Sequence, residues 1–168
     1  KKNQLSLVEM LPFIDDDLVF IASYEKNPYA ENLRNRIKEL HLEERVHFLK
    51  NVSEEEKYAL TQNCNAMCHP SIAEGFGIPP IEAMAFGKPV FISTFTSLPE
   101  IGGDAAYYFE NFEPQVMATF YKEKMRYYED NKQEQSSKIK NWTKQYDYKV
   151  MSNNYLRLYE EILLKSTS

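Results

Sequence analysis

Apolar positions along this chain follow two alternating rhythms. Short runs that are almost wholly apolar recur at Leu18-Val19-Phe20-Ile21-Ala22, Val46-His47-Phe48-Leu49, Ala66-Met67-Cys68-His69, Val90-Phe91-Ile92-Ser93 and Ala106-Tyr107-Tyr108-Phe109. Such runs mark strands buried on both faces. Between them, apolar residues stand three and four apart, the spacing of one helix face. This pattern covers Leu5 to Leu11, ending before Pro12, and residues 29–41, where Leu33, Ile37 and Leu40 carry the stripe. Ser53 and Glu56 make a capping box that opens a helix ending near Asn63. From Pro114 onward the chain reads as helices at about 114–129, 134–144 and 148–164, the last with a core-facing stripe of Tyr155, Leu158, Tyr159 and Ile162. Strands alternating with helices predict an α/β fold: a Rossmann-like parallel sheet flanked by helices. In such sheets, ligands bind beyond the carboxyl ends of the strands.

Residues 1–168 suit a single domain with its own core. A net charge of -5 argues against a nucleic-acid partner, which calls for a basic face. No apolar run reaches the ~20 residues of a membrane span. Two cysteines, Cys64 and Cys68, are too few for a disulfide scaffold and fit a reducing compartment. The chain opens on Lys1-Lys2-Asn3 with no signal-peptide pattern, the expected look of a fragment.

Every glycine lies between Gly75 and Gly103, and five of the eight prolines fall in nearly the same window, from Pro70 to Pro99. Glycine and proline shape backbone, so this window is the place to look for function. The run Glu74-Gly75-Phe76-Gly77-Ile78-Pro79-Pro80 follows a strand and opens a short helix. Pro79 or Pro80 suits its first position, and Gly87 its left-handed cap. The amides of Phe76, Gly77 and Ile78 then have no intrahelical acceptor, and a helix start with free amides is an anion site. Gly75 and Gly77 carry no side chain to keep an anion away; a valine at Gly77 is expected to block the amides with the fold intact. Glu74 and Glu82 stand on either side of this nest in sequence. Carboxylates repel a bare phosphate but accept hydrogen bonds from hydroxyls. A phosphate flanked by polyols describes a nucleotide sugar. A common glycine turn beside a solvated Glu82 remains the alternative.

The run His69 to Val90, HPSIAEGFGIPPIEAMAFGKPV, resembles the signature of retaining GT-B-fold glycosyltransferases with the E-x7-E motif (glycosyl transferases group 1), with Glu74 and Glu82 at that spacing. The run 46–53, VHFLKNVS, resembles the family's strand and nucleobase loop; 97–106, SLPEIGGDAA, its proline-glutamate turn; and 155–163, YLRLYEEIL, its final helix. The resemblance implies the C-terminal, donor-binding half of a GT-B fold, with the first strand and the N-terminal acceptor domain missing. It implies a catalytic role for Glu74, holding donor-sugar hydroxyls, and ribose hydroxyls bound by Glu82. It places the phosphates on the amides of Phe76, Gly77 and Ile78 beside Gly75, and the base pocket at Lys50 and Val52. Lys2 matches a lysine that neutralises the diphosphate, although its place at the chain start also suits a frayed residue. The loop 23–26, often glycine in relatives, has none here.

The implied reaction moves a sugar from a nucleotide diphosphate to an acceptor hydroxyl with retention of configuration, in glycan or polysaccharide biosynthesis. The implied enzyme is of the hexosyltransferase type, and the fragment alone is expected to be inactive. The alternatives are a sugar-nucleotide epimerase of the same architecture and a non-catalytic nucleotide-sugar-binding module. No metal and no cofactor are expected, and the donor is a substrate. The partners are the donor and the acceptor domain of the same polypeptide, which would also make any peripheral membrane contact. The expected place is the cytoplasm or the inner face of the membrane. Asp15-Asp16-Asp17 contains a D-x-D pattern but precedes a strand, so a solvated turn is the expectation. Cys64 and Cys68 read as buried and inert, His69 as packed or approaching the ligand, and Tyr121, Tyr127 and Tyr128 as packing.

Overall fold

A computed structural model describes residues 1–21 and 27–166; Ala22 and the 23–26 loop lie outside the described residues. The order is α1 (Gln4–Met10), β1 (Leu18–Ile21), α2 (Pro28–Glu39), β2 (Val46–Leu49), α3 (Glu54–Asn63), β3 (Met67–His69), α4 (Ile78–Ala85), β4 (Val90–Ser93), α5 (Leu98–Gly102), β5 (Tyr107–Phe109), α6 (Pro114–Asp130), α7 (Lys132–Thr143) and α8 (Tyr148–Ser166). Local chemistry explains the boundaries. Asn27 accepts from the Ala30 amide ahead of Pro28, and Glu113 caps α6 ahead of Pro114. Ser53 and Glu56 close both halves of the predicted capping box at α3. Gly87, at φ 75°, ends α4 in the left-handed conformation, its amide bonded to Met84 O.

All strand pairs are parallel, as the alternation requires, but they form two sheets. β1 pairs with β2, and β4 lies between β3 and β5. Asp16, just before β1, accepts from Asn65, just before β3, and from the Tyr121 hydroxyl of α6, so the two sheets start side by side. Neither β1 nor β3 has a strand on its second edge among the described residues. Double-sided burial is therefore corrected for β1, where Val19 is 44% and Ile21 42% exposed. Only β4 is buried at every residue.

One core joins the two sheets. Leu7, Val8 and Leu11 pack with Phe20 and Val46 from one side and Phe91 and Phe109 from the other. The Phe91 ring is at its centre, 4.8 Å from Tyr121, 5.1 Å from Tyr107 and 5.6 Å from Phe109. A second core sets α4: Ala83 and Met84 pack with Val90, Ile92, Leu98, Tyr128 and Ile139. The Tyr128 hydroxyl donates to Gly87 O, which fixes the end of α4.

Three expectations change here. Every described side chain from Tyr148 to Lys165 is exposed, so the stripe of α8 faces no core. Its periodicity reports an amphipathic helix and says nothing about which surface covers it. The aspartate run is solvated at Asp15 and Asp17, as expected, but gains a structural role: besides the Asp16 bonds, Asp17 lies 3.8 Å from the Arg45 guanidinium and 3.5 Å from His47. Arg45 also donates to Leu11 O, Ile14 O and Asp16 O, tying the loop before β1 to the strand beside it. Tyr127 is exposed, in contrast to its packed neighbours Tyr121 and Tyr128.

Phe91→Ala removes the ring that both sheets share. The expected cost is about 3–5 kcal/mol, and urea unfolding followed by circular dichroism checks it.

Candidate functional site

The segment from His69 to Glu82 leaves the carboxyl end of β3, loops, and becomes α4. The helix opens at Ile78, not at either proline, so Pro79 and Pro80 occupy its second and third positions. Proline there loses nothing, because those amides lack intrahelical acceptors in any case. Gly77 is the N-cap residue at φ 108°, in the left-handed conformation.

Peptide geometry determines where the loop amides point. In a trans peptide unit the carbonyl and the next N–H point in opposite directions. The Ser97 hydroxyl donates to Phe76 O at 3.0 Å and approaches Glu74 O at 3.4 Å. The amides of Gly77 and Gly75 therefore point away from Ser97. Gly77 O accepts from the Ile81 amide at 3.5 Å inside the helix, so the Ile78 N–H points out of its start. Among the described residues, none of the amides from Gly75 to Ile78 has an acceptor. Gly75, Phe76 and Ile78 are exposed. Thr96 adds a second brace: its Oγ1 accepts from the Glu74 amide at 3.1 Å, and it holds φ 54°, a strained value for a branched residue.

The carboxylates sit in separate ion pairs. Glu74 is 13% exposed; Lys2 Nζ donates to its oxygens at 2.9 and 2.7 Å, and His69 Nε2 lies 3.2 Å away. Burial alone would raise the Glu74 carboxyl, but the bonds from Lys2 and His69 outweigh it and hold the group below its ordinary value. His69 is pushed down, chiefly by burial. It is neutral at pH 7, so its link to Glu74 is a hydrogen bond from Nε2–H rather than an ion pair. Ser71 Oγ approaches the same nitrogen at 3.2 Å. Glu82, on the second turn of α4, accepts from Lys57 Nζ of α3 at 3.0 Å.

Lys2 thus stands at the site against Glu74. Lys50 and Val52 flank Asn51 in the turn from β2 to α3, where Asn51 takes φ 54°. Lys50 is exposed and Val52 half-buried. One expectation is corrected. A Cβ on Gly77 would meet Leu98 Cδ2 at 3.1 Å and Ile101 behind it, so it points into the packing against α5 rather than over the amides. A valine there strains the fold instead of blocking an intact site. A Cβ on Gly75 would meet nothing within 4 Å. Reading the chain alone missed Ser97, Thr96 and Lys57. A hydroxyl pair before Leu98-Pro99 and a lysine in an acidic first turn carry no signal until the fold brings them to the loop.

Cys64 and Cys68 are free thiols, and burial pushes Cys68 up to about 12. Among the described residues no cluster of three His, Cys, Asp or Glu could hold a metal. A cavity of about 460 Å³ along β5 and the start of α6 shares no residue with the 69–82 segment and is largely aromatic and aliphatic.

The family model of the glycosyl transferases group 1 matches residues 1–146. The chain belongs to this family. Its curated relatives include the O-antigen chain mannosyltransferase RfbU of Salmonella typhimurium, 36% identical over 107 residues, which cover 64% of this chain and 30% of RfbU. The MMP alpha-(1->4)-mannosyltransferase of Mycolicibacterium hassiacum is 38% identical over 89 residues, covering 53% of this chain and 21% of the relative. Among solved structures, a glycosyltransferase from Rickettsia africae superposes with a TM-score of 0.81 at 20% identity, over 96% of this chain and 45% of that one. Anabaena HepE, crystallised with UDP-glucose, gives 0.72 at 23% identity, over 98% and 45%. These likenesses establish the GT-B fold type. The matched segments cover less than a third of the length of these two curated relatives.

In this group 1 chain the loop geometry predicts a contrast between the two glycines. Gly77→Ala lowers the melting temperature through its positive φ and the Leu98 contact, whereas Gly75→Ala leaves it within about a degree. Differential scanning calorimetry of both variants checks this.

Acid sensitivity follows from the same residues. Below about 6.5, the ordinary histidine value, the unfolded chain takes up a proton that folded His69 resists, so stability falls as pH drops. A second fall comes below about 4.5, where the Glu74 bonds are lost to protonation. His69→Gln removes the first fall and keeps the second. Urea titrations at stepped pH decide it; matching profiles for both proteins would exclude His69.

Proposed function

We propose that this chain is the donor-binding part of a retaining hexosyltransferase of GT-B architecture, which passes a sugar from a nucleotide diphosphate to an acceptor hydroxyl in glycan biosynthesis. The observation that carries the reading is the loop 75–78: acceptor-free amides directed away from Ser97 and out of a helix start, with Glu74 and Glu82 on either side in sequence. The amides of Phe76, Gly77 and Ile78 take the phosphates, Gly75 leaves room for them, and Lys50 and Val52 line the base pocket. Glu82 accepts from the ribose hydroxyls. The family membership and the mannosyltransferase names of the curated relatives support transfer, with mannose the favoured sugar. The UDP-glucose seen in HepE supports a nucleotide-sugar donor.

Lys2 and Glu74 neutralise each other in the structure. Their pair is half open to water, with Lys2 48% exposed. A diphosphate carries more negative charge than a single carboxylate and competes for the Lys2 ammonium. An arriving diphosphate therefore draws Lys2 to itself and frees Glu74 for the sugar hydroxyls. As the bond from the anomeric carbon to the diphosphate breaks, charge grows on the leaving oxygens. Amides and ammonium already aimed there stabilise the transition state more than the ground state. The acceptor oxygen then bonds the anomeric carbon and passes its proton to an oxygen of the departing diphosphate. In this scheme the protein supplies the positive potential without a metal or cofactor.

The acceptor site belongs to an N-terminal domain of the same polypeptide, preceding Lys1. Lys1 O accepts from the Ile72 amide at 2.9 Å, just past β3. The free thiols fit a cytoplasmic, reducing setting.

Calorimetry against nucleoside diphosphates and their glucosyl and mannosyl derivatives tests the reading. Glu82→Ala is expected to weaken binding by about ten- to a hundredfold. Unchanged affinity would remove Glu82 from the site. Acceptor-free isomerisation of the donor would favour an epimerase instead.

A further inference from the structure

Lys57 stands in the first turns of α3, outside the segment that carries the phosphate loop. Its ammonium is held from three directions. It donates to Glu82 Oε1 at 3.0 Å and to Glu54 Oε2 at 2.8 Å, and it sits 4.8 Å from the centroid of the Tyr58 ring. Tyr58 in turn packs on Phe86 at the end of α4, ring centres 6.3 Å apart. The seam between α3 and α4 is thus built around this one cation. Its two carboxylates differ: Glu54 is largely in water, whereas the Glu82 side chain is only 21% exposed. Both raise the Lys57 ammonium, Glu54 first.

We propose that Lys57 is a positioning residue of the nucleotide site, holding the Glu82 carboxylate in the one rotamer that meets the ribose diol. The assignment rests on the reading of Glu82 as the ribose acceptor. A free glutamate loses rotamer freedom when a ligand immobilises it, and a side chain already fixed avoids that cost at binding. Lys57 engages one oxygen, Oε1, and among the described residues the other, Oε2, has no partner. A carboxylate oxygen has two lone pairs, so Oε1 can still accept once more. Two adjacent hydroxyls can therefore donate to both oxygens of a carboxylate whose orientation the ammonium has set. Glu54 shares the ammonium and keeps it in place while Glu82 turns part of its acceptor capacity to the ligand. A lysine that merely stapled α3 to α4 would affect stability and every ligand alike; a positioning lysine affects the part of the ligand that Glu82 touches.

The test compares ribonucleoside diphosphates (UDP, GDP and ADP) with their 2′,3′-dideoxy counterparts by calorimetry on the full chain. The wild type favours the ribose form of whichever base binds. Lys57→Met is expected to reduce that preference about fivefold to tenfold, with dideoxy affinity unchanged. Lys57→Arg, which keeps a donor to Glu82, restores most of it. An equal loss for ribose and dideoxy forms in Lys57→Met, or an intact ribose preference, would overturn the proposal. Glu82→Gln separates the two levels. If it abolishes the preference while Lys57→Met does not, only the role of Lys57 fails. If the preference survives Glu82→Gln, or no nucleotide binds at all, the site reading fails and the Lys57 role with it.

Discussion

The Ser97 hydroxyl takes the carbonyl side of the 74–77 loop, and what the loop can do follows from the side left over. With Phe76 O turned onto Ser97, the Gly77 amide points away from that hydroxyl, although Gly77 itself is buried, while Gly75, Phe76 and Ile78 are exposed. Amides without acceptors are costly when sealed inside a protein, so a loop of this kind persists only where water or a ligand satisfies it. Thr96 accepts a left-handed backbone to reach the Glu74 amide, a local strain borne where the loop must be held still. The second core behind it, with Leu98 and Ile101 beneath Gly77, keeps α5 and the loop in register.

The charges of the candidate site are paired within the chain. Each glutamate of the signature has a lysine: Lys2 comes from the chain start and Lys57 from α3. The two pairs differ in character. Lys2 is 48% exposed and reaches Glu74 from the chain start. The Lys57 cation is enclosed by Glu54, Glu82 and the Tyr58 ring, and it stays. The roles proposed for the two lysines rest on this difference. Neither role follows from charge alone, because both lysines carry the same charge within 3 Å of a carboxylate.

The division of the strands into two sheets sets the limits of the body. A shared core centred on Phe91 holds them together without strand pairing between them, and the Asp16 knot aligns their starts. Val19 and Ile21 on β1 and the apolar side chains of α8 are left in water. Both are surfaces of a chain that covers a fraction of the length of its relatives.

Much of this was legible in the residues by themselves. Most strand and helix positions came within a residue or two, because short apolar runs and a 3.6-residue period follow from burial and backbone geometry, but α5 was read only as a turn. The capping box at Ser53, the left-handed Gly87 and the Glu74–Glu82 spacing are local features, and local features survive translation into three dimensions. Other features were decided only by packing. The helix began at Ile78 because Gly77 could cap it. The Gly77 Cβ direction depended on Leu98, more than twenty residues later. The stripe of α8 met no partner, although its pattern matches that of buried helices. Ser97, Thr96 and Lys57 entered the site through contacts made across the fold, and such contacts leave no periodic mark in a sequence.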